Sequence, residues 1–242
     1  MAIMIGTSGW SYGHWHGVIY PHGGPPHARL GQYIEHFATV ELNASYYRWP
    51  GERTFASWRR RLPPHFRLSV KAPGLLTHVR QLYAPEAWAA RIGAAFSALG
   101  DRAGVLLVQL SPKLPYDPPR LDYFLGCVPR HVRVAVELRH PSWHHEELFA
   151  LLERHGAAYC VMSGAHLPCV LRATAPFVYV RLHGPSHDHL YAGSYSDADL
   201  HWWAGRIREW AGSGRDVWVY FNNDGEGNAV RNALTLRAIL QA

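Results

Sequence analysis

Lysine is nearly missing from this chain. Of 24 Lys and Arg residues, only Lys71 and Lys113 are lysines. Cysteine is sparse too: Cys127, Cys160 and Cys169 stand at no metal-ligand spacing and leave an odd thiol. That speaks against a disulfide framework and for a reduced, cytoplasmic protein. There is no run of about 18 apolar residues, so no membrane span is expected. The start, Met1-Ala2-Ile3-Met4-Ile5-Gly6, enters a strand-like run without a basic segment, and a signal peptide is not expected. Internal repeats and low-complexity stretches are absent.

What is present fits one large core. The chain has 242 residues, of which 48% are apolar and 17% charged, a size common among single-domain barrels of alternating strands and helices. The net charge of +6 permits phosphate or nucleic-acid binding. The run Arg59-Arg60-Arg61 reads instead as the solvated side of a helix, because no stacking aromatics alternate with it.

Short β-rich apolar runs recur at 3–6, 39–42, 66–70, 104–109, 132–137, 157–162, 178–183 and 217–222. Their continuous apolar character suits parallel strands covered on both faces. Helical patterns alternate with them. Pro85 suits a first helical turn, followed by Trp88, Ile92, Phe96 and Leu99 at helical spacing, and Gly100 stops the run. Leu148, Leu151 and Leu152 share a face within 144–155, which Gly156 closes. Asp197 or Asp199 can cap the helix of Leu200, Trp203, Ile207 and Trp210. The final helix packs Val230, Ala233, Leu234 and Ala238, residues 122–125 form a weaker helix, and 163–176 show none. Eight β-then-α units without a linker predict an α/β fold, a single (β/α)8 TIM-type barrel forming one domain over 1–242. An open doubly wound sheet fits less well, because Gly6-Thr7-Ser8-Gly9-Trp10 is a poor phosphate loop.

The carboxyl ends of barrel strands form the catalytic face. Here they carry Ser8 and Trp10; Glu41 and Asn43; Lys71; Gln109; Glu137, Arg139 and His140; Ser163; Arg181 and His183; and Asn222, Asn223 and Asp224. The amino-terminal strand ends show no comparable set. Lys71 is conspicuous because an amine, unlike guanidinium, can be deprotonated to act as base, nucleophile or imine former. Trp143 and Trp10 can wall a pocket, with Tyr12, Trp15, Tyr46 and Tyr47 beside them. His78 and His187 rank below His183.

Several stretches together resemble one family. They are Gly6-Thr7-Ser8-Gly9-Trp10-Ser11-Tyr12 with Trp15 and Tyr20-Pro21; Val40-Glu41-Leu42-Asn43 with Tyr46-Tyr47; Lys71-Ala72-Pro73 with Thr77-His78; and Gln109-Leu110. Glu137-Leu138-Arg139-His140 with Ser142-Trp143, Tyr179-Val180-Arg181-Leu182-His183-Gly184, and Tyr220-Phe221-Asn222-Asn223-Asp224 complete the set. From Gly6 to the final helix the chain resembles the YecE-like family, domain of unknown function 72. The resemblance implies a TIM barrel with a cleft lined by these motifs, and it supplies no activity. One departure stands out: an acidic residue is expected after the sixth strand, where this chain has Met162-Ser163-Gly164.

The residues then suggest an enzyme acting on a small anionic or sugar-like substrate. Glu41 and Glu137 are acid/base candidates, Lys71 is an amine or anion anchor, and His183 is a proton shuttle. Arg139 and Arg181 would clamp substrate charge, while Asn43, Gln109, His140, Asn222, Asn223 and Asp224 would orient polar groups. No cofactor is expected. A metal-dependent phosphoesterase or nuclease, with a divalent ion on Glu41, Glu137, His183 and Asp224, is the alternative, and the nearby Lys and Arg oppose it. A non-catalytic nucleic-acid or ligand-binding protein is the third reading.

Overall fold

All eight apolar runs form strands in the computed structural model, which describes residues 1–241. They are β1 Ile3–Thr7, β2 Thr39–Leu42, β3 Arg67–Lys71, β4 Ala103–Gln109, β5 Val134–Glu137, β6 Ala158–Ser163, β7 Phe177–Leu182 and β8 Asp216–Phe221. The helices are α1 Arg29–His36, α2 Ala44–Tyr47, α3 Glu52–Arg61, α4 Glu86–Leu99, α5 Pro118–Cys127, α6 Glu146–His155, α7 Asp197–Gly212 and α8 Asn228–Gln241. The strand order is β1-β8-β7-β6-β5-β4-β3-β2. A parallel bridge between Ser8 and Glu41 links β1 to β2. The fold is therefore a (β/α)8 barrel of the TIM type. The chain divides into two compact units: residues 1–41, 161–171 and 176–242, and residues 42–160 and 172–175.

The first unit holds β1, β7 and β8 in parallel, with Ile3 opposite Val217 and Val178 also opposite Val217. All six residues of β7 are buried, as a strand covered on both faces requires. Gly6 permits close strand approach, because a Cβ there would stand 2.3 Å from the Thr39 carbonyl oxygen. The cap of α7 is Ser196, not either aspartate. Its Oγ accepts the Asp199 amide at 3.1 Å, and Asp199 Oδ2 accepts the Ser196 amide at 2.9 Å. Such a reciprocal box serves two otherwise unpaired amides, so Asp199 belongs three residues inside the helix. On α8, Val230, Ala233 and Leu236 are buried while Ala238 is exposed.

The second unit holds β3, β4 and β5, packed by α3 to α6. Trp88, Ile92, Phe96 and Leu99 of α4 are buried as the periodicity predicts, and Pro85 sits at the cap rather than in the first turn. Gly156 closes α6 with φ +61°, a conformation glycine adopts without steric cost. Helix α5 begins four residues earlier than expected: Asp117 caps it, accepting the Arg120 amide at 3.1 Å, and Pro118 starts it. Arg59, Arg60 and Arg61 are exposed in the last turn of α3, the solvated side the sequence suggested. No helix among the described residues is long and apolar enough to cross a membrane.

Candidate active site

In the second unit β3 ends at Lys71, while β4 and β5 end in register at Gln109 and Glu137. Glu137 is fully buried. Its Oε1 accepts from Gln109 Nε2 and from Arg139 Nε, each at 2.5 Å, and the Cys160 thiol lies 3.8 Å from Oε2. A carboxylate removed from water is costly without such donors, which Gln109 and Arg139 supply.

Lys71 is half-buried, with Nζ 4.7 Å from the centre of the Tyr46 ring. Tyr46 comes from α2, where its amide donates to the Asn43 carbonyl at 3.0 Å. Gly74 follows β3 on the same ring, and a Cβ there would approach Tyr46 Cζ to 2.8 Å. His78 meets Tyr46 edge-on, with ring centres 5.1 Å apart at 90°. Burial, then the charges of Lys71 and Arg139, lower the His78 pKa from 6.5, with Glu137 opposing. One ring thus meets both an amine and an imidazole.

His140 and Trp143 serve the neighbouring turn. His140 Nδ1 accepts the Ser142 amide at 3.2 Å, and Trp143, 1% exposed, donates Nε1–H to the Leu114 carbonyl at 2.8 Å. The structure makes Trp143 a core side chain rather than a pocket wall.

In the first unit Glu41 and Arg181 are both fully buried. Glu41 Oε1 accepts from Arg181 Nη2 at 2.8 Å and from the Ser8 hydroxyl. Its Oε2 accepts from Arg181 Nε at 3.0 Å and from the Tyr179 hydroxyl at 2.7 Å. Four donors saturate the carboxylate, and the fork of Arg181 is spent on it rather than on an incoming anion.

His183, also buried, has Nδ1 3.2 Å from Asn222 Nδ2. Asn223 Nδ2 donates to the Gly193 carbonyl and to Asn232 Oδ1, both at 2.9 Å, which ties the loop after β7 to α8. Asp224 accepts from Trp15 Nε1 at 2.7 Å and pairs with His14 at 2.9 Å. Burial raises the Asp224 pKa from 3.8, against His14 and Trp15. The Trp10 carbonyl accepts the Tyr20 hydroxyl. Ser163 Oγ accepts the Tyr195 hydroxyl at 3.1 Å, so this position serves the same network without an acid.

Two His-x-His triplets occur, His14-Trp15-His16 and His187-Asp188-His189. Among the described residues, no three His, Cys, Asp or Glu side chains gather as a metal site. A cavity of about 490 Å³ opens at the amino-terminal ends of β5 and β6, among Arg130, Arg133, Arg154 and His155. It contains none of the residues selected from the strand ends.

The family described as "Protein of unknown function DUF72" matches residues 4–242. This chain belongs to that family. It is similar to the UPF0759 protein YunF of Bacillus subtilis, 26% identical over 98% of this chain and 94% of that one. It is 29% identical to the UPF0759 protein YecE of Escherichia coli K12, over 58% of this chain and 50% of that one. A crystal structure of a DUF72 family protein from Thermotoga maritima superposes with TM-score 0.90 at 29% identity, covering 100% of both chains. A second, from Enterococcus faecalis, shares the fold at 20% identity with TM-score 0.81.

Within this DUF72 chain Tyr46 meets both Lys71 and His78, a meeting that the strand ends alone do not indicate. The signal was present in Tyr46-Tyr47 after β2 and Thr77-His78 after β3. His78 lies seven residues beyond the end of β3, and the chain folds back there through a single wide π-type turn, Leu75–Val79. Asn232 was missed because a buried asparagine on an apolar helix face has no motif.

Proposed function

We propose that the second unit binds a small anionic or polar substrate through a phosphate or carboxylate at Lys71 and Arg139. Glu137 and Lys71 then carry acid/base or lysine-assisted chemistry on it. The observation that carries this reading is the arrangement around the buried Glu137, clamped by Gln109 and Arg139 at the carboxyl ends of β4 and β5. Lys71 and Arg139 are the two cations acting on His78, and their positive charge suits an anion there. Glu41 and Arg181 drop to a scaffold role in this reading because they saturate each other. Exposed Tyr47, Leu75 and Val79 on the loops after β2 and β3 give the site an apolar border, suited to the body of such a substrate.

Thermal denaturation with a panel of phosphate- and carboxylate-bearing metabolites tests the proposal. A ligand at a hundred times its Kd stabilises the folded chain by about 2.7 kcal/mol. The expected result is a dose-dependent rise in Tm for wild type that is lost in Arg139→Met. Equal rises in both proteins would move the anion site elsewhere.

A further inference from the structure

We propose that His78 Nε2 is the proton-accepting group of this site, serving a substrate whose exchangeable proton lies close to its anionic group. The inference rests on the anion-site reading above and adds the group that moves the proton.

Three features of the loop after β3 point to it. First, one ring nitrogen is engaged by a neighbour. The Thr77 hydroxyl stands 3.2 Å from the Pro73 carbonyl and 2.9 Å from His78 Nδ1. In the proposed arrangement the hydroxyl proton goes to Pro73, so that Nδ1 carries the ring hydrogen and the lone pair is on Nε2. Second, the charged groups facing His78 from the elements around it are Lys71 of β3 and Arg139 and Glu137 from the end of β5. Burial and the two cations outweigh the carboxylate and favour the neutral base at pH 7. Third, the backbone is constrained there. The π-type turn is followed by three non-glycine residues with positive φ: Gln81 at 47°, Leu82 at 65° and Ala84 at 42°. Such conformations are costly for residues with a Cβ, and both π-type turns and strained residues concentrate at functional sites.

In the step itself, a substrate C–H or O–H bond breaks and its proton forms an N–H bond at Nε2. The electron pair stays on the substrate as an enolate or alkoxide, next to the Lys71 ammonium. The imidazolium returns the proton at the end of the cycle, so no oxidant, reductant or co-reactant is needed.

NMR of protein carrying ¹⁵N-labelled histidine, with His78→Gln to assign the signal, tests the inference using inorganic phosphate as the probe. The expected result is a neutral Nδ1–H tautomer titrating below 6.5, a midpoint moved upward by saturating phosphate, and loss of that response in Lys71→Met. A protonated Nε2 in the neutral ring, or a midpoint at or above 6.5 in the free protein, would overturn it even if phosphate binds. The expected tautomer and midpoint with no phosphate response at any residue would overturn the anion-site reading, and the inference with it.

Discussion

The Lys71 amine lies 4.7 Å from the centre of the Tyr46 ring, over its face. Replacing Lys71 with Met keeps a four-atom apolar stem and removes the ammonium. A cation over an aromatic face at a half-exposed position is worth about 0.5–1 kcal/mol. Lys71→Met should lose ligand binding with little change in its urea midpoint. A loss of about 3–5 kcal/mol would instead mark Lys71 as half of a buried structural ion pair.

The pair Glu41–Arg181 should behave the opposite way. Both residues are fully buried, and Tyr179 and Ser8 complete the carboxylate's hydrogen bonds. Arg181→Met leaves that carboxylate without its counter-charge, which costs about 3–5 kcal/mol. Urea denaturation should show this loss, and Glu41→Gln should be destabilised as well. Full stability of Arg181→Met would refute the scaffold role.

The loop carrying His78 is clamped from α5. Arg120 lies 3.9 Å over the Tyr83 ring, donates to its hydroxyl at 2.5 Å and reaches the Gln81 carbonyl at 3.4 Å. Arg120→Ala should speed amide hydrogen exchange at Leu82 and Tyr83, whose amides donate to Leu76 and Arg80. Exchange in β7 should be unchanged. Unaltered protection at Leu82 would show that the strained backbone holds itself.

Acid should weaken the fold through two histidines. Burial is the main cause lowering His78 and His144 from 6.5; Lys71 and Arg139 add to it for His78, and His145 adds to it for His144. Just below pH 6.5 the unfolded chain binds more protons than the folded one, so stability falls as pH drops toward the folded values and then this contribution levels off. Removing His78 as Gln should flatten the stability–pH curve in that window. Urea midpoints across mildly acid pH read this directly, and a steeper curve in His78→Gln would contradict the sign.

The barrel was legible because its strands are short continuous apolar runs, which only a covered parallel sheet accommodates at such frequency. Strand ends then named Lys71, Gln109, Glu137 and Arg139, since strand direction alone fixes where a strand's last residue lies. Strand direction does not decide what a polar residue pairs with. Glu41 and Glu137 look alike in sequence, yet one is saturated by an arginine fork and the other, held by Gln109 and Arg139, acts on the His78 imidazole. Trp143 was misjudged for a related reason: following a strand end does not determine whether an indole turns inward. His78 needed the π-type turn, a backbone feature with no residue signature in Leu75-Leu76-Thr77-His78-Val79.

Isothermal titration of inorganic phosphate at low salt into wild type, Lys71→Met and Arg139→Met tests the central claim most directly. The account predicts saturable binding by wild type that weakens at least about tenfold, or 1.4 kcal/mol, in each variant while both remain folded. Absence of saturable binding to wild type, or equal affinity in all three proteins, would contradict it.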